Sequence, residues 1–411
     1  MQALVYNVTP VRWSLCKAAG FFSKQAYFSS FSPLKLRDCP IPELPGPGWV
    51  RLKTILGGIC GTDLALVTQR LHPATILQNY ATFPAILGHE NVAIVDEVGS
   101  EVSEWKPGRR VCVEPAPGCH AHHNNELCPH CLAGRTSLCE NAGGAGLPPR
   151  TLLGLNTITG GSWGQYFLAH HTQLHAVPDS VPDDTAVLVD SIASAAHAVL
   201  RRPPEPGENV LVSGSGIIAL GVVAAIRALG LDNPVTSLVR HGFQADLARS
   251  LGATQVECFP RRAGSVDRYD TLARLTNGKR LAARFGNQDL LGGFDLTFEC
   301  TGSGAGLSDA VKWTRSRGTV VAVGTSGITL LHTTAIWFNE LQIVGANGRQ
   351  IESCQGRDLH TYDLVFRWIE EGRLDLSALP VQRYRLADYR TAFKHLFRRG
   401  RHPVVKAAFE H

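Results

Sequence analysis

Along the first third of the chain the apolar residues come in short runs rich in β-branched and aromatic side chains. Residues 3–6, 49–54 and 91–98 are such runs, and each predicts a strand. Turn-formers punctuate them: Pro40-Ile41-Pro42, Pro45-Gly46-Pro47-Gly48 and Pro107-Gly108. Residues 95–99 and 105–111 read as a strand, a turn and another strand. A β-rich domain over residues 1–182 is expected.

Past Val181-Pro182 the pattern changes. Residues 184–200 are Ala-rich with apolar positions at helical spacing, and the run stops at Arg201-Arg202-Pro203-Pro204. Strands are predicted at 209–213, 235–239, 294–298, 319–323 and 341–344, with helices at 217–229 and 244–251. Strands alternating with helices imply a parallel sheet covered on both faces. This α/β domain is expected over 183–346. The remainder, 347–411, predicts helices at 362–371 and 386–397 and a strand at 404–409 that returns to the first domain.

Residues 11–31 carry Trp13, Phe21, Phe22, Tyr27, Phe28 and Phe31 among Arg12, Lys17, Lys24 and several serines. Such a composition suits a targeting leader. The strand-like residues 1–6 in front of it are not what a removable leader needs, so an inserted loop or short helix is expected. A lid or a membrane-touching segment is the alternative.

The chain has 411 residues, 44% of them hydrophobic, enough for two ordinary domains with large cores. Its net charge is only +5 and no long basic run occurs, which argues against nucleic acid as a partner. No apolar run approaches the eighteen or so residues of a membrane span. The eleven cysteines are an odd number and four of them crowd into 119–139. That pattern points to metal binding in an intracellular, cytoplasmic setting rather than to a disulfide scaffold.

Cys60 in Gly58-Ile59-Cys60-Gly61-Thr62-Asp63 and His89 in Gly88-His89-Glu90 offer a thiolate, an imidazole and carboxylates. Zinc accepts all three donors, and a catalytic zinc keeps one position open. A buried cysteine is also often only a small core residue. The second constellation is Cys119, Cys128, Cys131 and Cys139, with a Cys-x2-Cys pair and a further cysteine eight positions on. Four thiolates close a tetrahedral structural site. His120, His122, His123 and His130 share the loop, and one of them could replace Cys119.

The run Val210-Leu211-Val212-Ser213-Gly214-Ser215-Gly216-Ile217-Ile218-Ala219 is a strand, a glycine turn and a helix start. Backbone amides at such a helix N-terminus hold a pyrophosphate. An NAD site usually ends its second strand with Asp or Glu for the ribose diol. Here that strand ends Val239-Arg240-His241, which favours a 2′-phosphate and NADP over NAD.

Taken in order, these segments resemble the zinc-containing medium-chain dehydrogenase/reductase family, which includes alcohol, sorbitol, threonine and glucose dehydrogenases. The resemblance also covers residues 1–6, the run Phe294-Asp295-Leu296-Thr297-Phe298-Glu299-Cys300-Thr301-Gly302 and Pro403-Val404-Val405-Lys406. It implies a GroES-like catalytic domain, a structural zinc lobe at about 112–142 and a Rossmann doubly wound sheet. It implies that Cys60 and His89 ligate a catalytic zinc, with Glu90 able to ligate or withdraw and Asp190 as the third ligand. A helix cap is the alternative reading of Asp190. Asp63 matches a carboxylate that orients the ligand histidine, and Thr62 the hydroxyl that takes the alcohol's proton. Ser194, Thr301 and Lys406 match cofactor-contacting positions.

The family relation further implies hydride transfer between an alcohol, polyol or sugar and NAD(P), in a homodimer or homotetramer. Three departures stand out. Ala65 replaces a relay histidine, the loop from Cys119 to Cys128 is long, and so is the aromatic stretch after Pro10. The absent relay histidine leans toward polyol or sugar substrates. His175 and His197 read as packed or surface residues. A zinc-independent reductase of the same superfamily and a non-catalytic cofactor-binding scaffold are the other readings. The set Cys60, His89 and Asp190, with Thr62 retained, argues against both.

Overall fold

The computed structural model describes residues 1–71, 74–124, 126–141, 146–260, 264–324 and 327–411. Residues 125 and 142 of the expected zinc lobe lie outside these. The chain divides into two compact units. One comprises Met1–Asp190, Gly348–Glu370 and Pro380–His411, and the other Ser191–Asn347 and Glu371–Leu379.

The first unit is built on a seven-stranded sheet. Its long strand Trp49–Gly58 runs antiparallel to Asn91–Val98, to Tyr166–His170 and to Lys406–Glu410. Lys406–Glu410 is itself parallel to Val381–Arg385, so the chain's last strand does join this sheet. Arg110–Val113 and Leu174–Ala176 extend the other side. A smaller sheet pairs Gln2–Tyr6 with Leu34–Asp38 and Ala85–Ile86. Alternate residues of Trp49–Gly58, among them Val50, Leu52 and Leu56, are fully buried. That is the period-two burial expected of a strand with one face in the core.

Residues 11–31, expected as an inserted loop or short helix, form the helix Pro10–Phe22 and the 3-10 turn Lys24–Phe28. Thr9 caps the helix by accepting from Arg12 N–H at 3.3 Å, and Pro10 starts it, where a missing N–H costs nothing. Several other elements differ from the sequence expectation. The single helix expected at 184–200 is two, Asp183–Ala186 and Val189–Arg201. Val187 and Leu188, both buried, form a turn between them, with Leu188 N–H donating to the Thr185 carbonyl at 3.1 Å. The helix expected from residue 386 begins as a 3-10 turn, Leu386–Asp388, before Tyr389–Leu396. The hairpin of Ile351–Cys354 and Arg357–His360 had no predicted counterpart.

The second unit carries a six-stranded, wholly parallel sheet. Its order is Gln255–Cys258, Val235–Val239, Val210–Ser213, Phe294–Glu299, Thr314–Ala322, Gln342–Gly345. Numbered along the chain this is 3-2-1-4-5-6, the order of a doubly wound Rossmann sheet. Val210, Leu211 and Val212 are fully buried, as befits a central strand covered on both faces. The helix Ile217–Ala228 is apolar almost all round and correspondingly buried. The helix Ser265–Leu275 and the hairpin of Lys279–Ala282 with Gln288–Leu291 lie between the third and fourth strands of this sheet.

Candidate functional site

Cys60 lies just past the strand Trp49–Gly58, at the start of the helix Gly61–Val67. His89 lies just before the strand Asn91–Val98. The two strands are antiparallel neighbours with Gly57 opposite Asn91, so the end of one meets the start of the other. Hydrogen bonds fix this meeting point. Gly58 N–H donates to the Glu90 carbonyl at 2.9 Å, and the Ser162 hydroxyl donates to the same oxygen at 2.7 Å. Trp163 Nε1 donates to the Gly58 carbonyl at 2.9 Å. A glycine is required at 58, because a Cβ there would sit 2.5 Å from Glu90 Oε2.

One ligand atom from each of Cys60, His89 and Glu90 lies within 4.8 Å of the others. Thiolate, imidazole and carboxylate so gathered fit a zinc ion. Asp63 ties the set together. Its Oδ2 accepts from Cys60 N–H at 2.9 Å, and its Oδ1 stands 3.3 Å from His89 Nδ1, an ion-pair contact rather than an aligned hydrogen bond. Burial alone would lower the His89 pKa, but the Asp63 and Cys60 charges outweigh it and carry it well above the usual value. A cation is thus favoured at this spot, which is also what the donor set asks of a metal. The Lys406 ammonium donates to the Glu90 carboxylate, and both side chains are buried. Burial works against the charged form of Lys406, yet Glu90 and Cys60 raise its pKa.

Asp190 is not a member of this cluster. Its carboxylate lies 2.9 Å from Arg349 Nη1 and accepts from the Tyr362 hydroxyl at 2.6 Å. Arg349 Nε is 3.3 Å from Glu114 Oε1, so one buried guanidinium serves two buried carboxylates. Burial pushes the Glu114 carboxyl up, and Arg349 offsets only part of that. Thr62 is half-buried in the first turn of Gly61–Val67, and Ser194 is half-buried on Val189–Arg201. His175 stacks on His360 at 4.2 Å with its Nδ1 3.0 Å from Asp363, and His197 is buried.

The sulfurs of Cys119, Cys128, Cys131 and Cys139 also lie within 4.8 Å of one another. Cys139 Sγ is 3.6 Å from Cys119 Sγ and 4.0 Å from Cys128 Sγ. A tetrahedron with Zn–S bonds of about 2.3 Å has edges of about 3.8 Å, whereas a disulfide needs about 2.05 Å. None of the eleven cysteines is in a disulfide. Backbone amides aim at the sulfurs: Cys128 N–H donates to Cys119 Sγ at 3.3 Å and Cys131 N–H to Cys128 Sγ at 3.4 Å. Burial opposes ionisation of Cys128, but amide donors from Glu140 and Cys131 draw it down to about 6. Cys119 completes the quartet, while His120 stacks on His170 and His130 faces Glu140.

In the second unit, Gly214 follows Val210–Ser213 with φ +142°, and a Cβ there would lie 3.0 Å from that of Cys300. Ser215 and Gly216 complete the turn, and Ile217, Ile218 and Ala219 open the helix Ile217–Ala228. The neighbouring strand Phe294–Glu299 ends beside it, where Cys300 N–H donates to the Ser213 carbonyl at 2.8 Å. Thr301 N–H donates to Glu299 Oε1 at 2.7 Å. Adjacent strands whose chains leave in opposite directions open a crevice at their carboxyl ends, the usual dinucleotide seat. Arg240 is exposed just past Val235–Val239. Gln244 links the two parts: its Nε2 donates to the Ser215 carbonyl at 2.7 Å, and its Oε1 accepts from His241 N–H at 3.1 Å.

The sequence does not point to Arg349, Tyr362 or Glu114, and it suggests Lys406 as a cofactor contact without revealing its pairing with Glu90. A faint signal existed for Lys406, a cation inside the apolar run Val404-Val405-Lys406-Ala407-Ala408.

Residues 46–179 match the alcohol dehydrogenase GroES-like domain, and residues 218–361 match the zinc-binding dehydrogenase domain. The chain is 30% identical to an L-threonine 3-dehydrogenase of Cutibacterium acnes, over 88% of this chain and 91% of that protein. It is 25% identical to the sorbitol dehydrogenase of Bacillus subtilis, over 90% of this chain and 92% of that one. The solved structure of 2R,3R-butanediol dehydrogenase from Bacillus subtilis superposes with a TM-score of 0.70 at 24% identity, covering 100% of this chain and 99% of that chain. With its donor clusters and parallel nucleotide sheet, the chain belongs to the zinc-containing medium-chain dehydrogenase/reductase family, as an NAD(P)-dependent alcohol dehydrogenase.

Proposed function

We propose that this enzyme oxidises a small polar secondary alcohol, of polyol or sugar type, with NADP as the acceptor. The observation that carries the reading is the gathering of Cys60, His89 and Glu90 ligand atoms within 4.8 Å. When bound, zinc supplies Lewis acidity toward an alcohol oxygen, and the nicotinamide accepts the hydride.

The chain's own residues divide the remaining work. Cys60, His89 and Glu90 hold the catalytic ion, and Asp63 fixes His89 and the Cys60 backbone in place. Lys406 gives Glu90 a cationic partner of its own, so the carboxylate would stay paired whether or not it ligates the ion. Asp190 acts with Arg349 and Tyr362 to position the wall of the site, and it becomes a ligand only if those two donors release it. Thr62 takes the alcohol's proton. Ala65 offers no imidazole to receive it next, so water or another group must take the proton on. Gly214, Ser215, Gly216, Ile217, Ile218 and Ala219 cradle the pyrophosphate, Arg240 meets a 2′-phosphate, and Ser194 and Thr301 border the nicotinamide half.

Threonine and sorbitol, which give the relatives their names, both carry a secondary hydroxyl beside another polar group. That supports a polar substrate over a simple alkanol. The protein is taken to work in the cytoplasm as a homodimer or homotetramer. A screen of polyols, sugars, hydroxy amino acids and simple alcohols on zinc-loaded protein, with both cofactors, tests the reading through nicotinamide absorbance. Turnover confined to simple alkanols with NAD would overturn it.

A further inference from the structure

The helix Pro10–Phe22 plays no part in the site described above, and its outer face is bare. Val11, Leu15, Ala18 and Phe22 are all exposed and recur at i, i+4, i+7 and i+11, so they form one stripe along the helix. Phe21 and Phe22 at its end are 87% and 88% exposed and pack edge to face against each other at 5.5 Å. The opposite side is firmly attached. Cys16 is fully buried, and Gln69 Nε2 donates to the Trp13 carbonyl at 3.1 Å. Phe28, in the turn Lys24–Phe28, stacks on Phe397 at 6.0 Å. The protruding rings therefore stand on a rigid base.

The segment that carries this stripe is charged with one sign. Residues 1–37 contain five cations and no Asp or Glu. Lys24 sits over the Phe397 ring at 5.8 Å, next in sequence to Arg398 and Arg399. Arg390 donates to the Phe28 carbonyl at 3.0 Å. Besides burial, the groups that lower the Lys35 pKa are all cations, namely Arg390, Arg12 and Arg37.

We propose that this helix and the turn after it form a docking face for an anionic lipid surface, with Phe21, Phe22 and Leu15 entering the interface and the surrounding Lys and Arg meeting the headgroups. Apolar side chains at a helix face, ringed by cations, are what interfacial binding to acidic membranes requires. The helix is 13 residues long, too short to cross a bilayer, so the contact is peripheral.

The test is vesicle flotation of the full-length protein. On vesicles with roughly one-third phosphatidylserine, the bound fraction should exceed that on pure phosphatidylcholine by about tenfold, and should fall as salt rises from about 0.05 to 0.5 M. Phe21→Asp with Phe22→Asp, and separately Arg12→Glu with Lys24→Glu, should each reduce binding by about tenfold with dehydrogenase activity unchanged. Equal binding to neutral vesicles, no binding to acidic ones, or full binding by the Phe21→Asp/Phe22→Asp protein overturns the proposal. So does a drop in sedimentation coefficient of that variant without lipid, which would make the face a contact between copies of this chain.

Discussion

Arg349 holds Asp190 at 2.9 Å with both side chains buried, and the two lie far apart in sequence. The same guanidinium faces Glu114, so it neutralises two acids at once. Arg349→Met leaves two buried carboxylates without their cation, a loss of about 3–5 kcal/mol. Urea unfolding should show the lowered midpoint. Adding Asp190→Asn should restore part of it, and a midpoint unmoved by Arg349→Met would show that the pair contributes nothing.

The catalytic cluster makes a separable prediction. Cys60→Ser or His89→Ala should cut kcat/KM by about a thousandfold or more, the several kcal/mol expected of a lost Lewis acid. Circular dichroism should be unchanged and zinc content should fall from two ions per chain to one. Near-normal turnover in either variant would remove the metal from the chemistry.

For the four-cysteine lobe the expected failure is structural. Cys131→Ser should lower the thermal midpoint by on the order of 10 °C, since a structural zinc contributes folding free energy directly. At temperatures where the variant is folded, KM should stay near that of the parent. Metal analysis and a thermal scan read both.

If Arg240 meets a 2′-phosphate as proposed, cofactor choice turns on this exposed residue after the strand Val235–Val239. Arg240→Asp should shift the ratio of kcat/KM for NADP over NAD by about a hundredfold toward NAD, because it trades a phosphate partner for a diol partner. Retained NADP preference would move the discrimination elsewhere.

The His170 ring makes stability depend on pH. Burial comes first, and His171, His120 and His123 add to it, holding its pKa at about 3. The folded state therefore keeps the ring neutral while the unfolded chain takes up a proton near 6.5. Its contribution is complete above 6.5 and is lost as pH falls from there toward 3. The slope is at most about 1.4 kcal/mol per pH unit, less where solvent screens the ring. His170→Gln should flatten the acid side of the urea midpoint profile, and an unchanged profile would assign that slope to other groups.

How much of this was readable in advance depended on sequence distance. Cys119, Cys128, Cys131 and Cys139 announce themselves because all four ligands fall within one short loop. The Gly214 turn is equally legible, since strand, glycines and helix are contiguous. Cys60 and His89 could be paired only because each sits in its own recognisable run. Lys406 and Glu90 are 316 positions apart, and no local pattern records their contact. The edge strand Gln255–Cys258 escaped notice for another reason: its residues are half-buried or exposed, so it shows no apolar signature. The break at 187–188 carries no local signal, since Val187 and Leu188 are as apolar and as buried as the helical residues Ala186 and Val189 on either side.

Gln244 touches both the turn at Ser215 and the backbone at His241 through a single amide group. Any engineer wishing to graft a different nucleotide preference onto this scaffold would thus inherit a coupled pair of loops. Both partners of the clasp are backbone groups, so a transplant that replaces residues 240–241 keeps it as long as Gln244 stays, whereas one that also replaces Gln244 would leave the turn at Ser215 unbraced, and the transferable cassette therefore runs from Gly214 through Gln244.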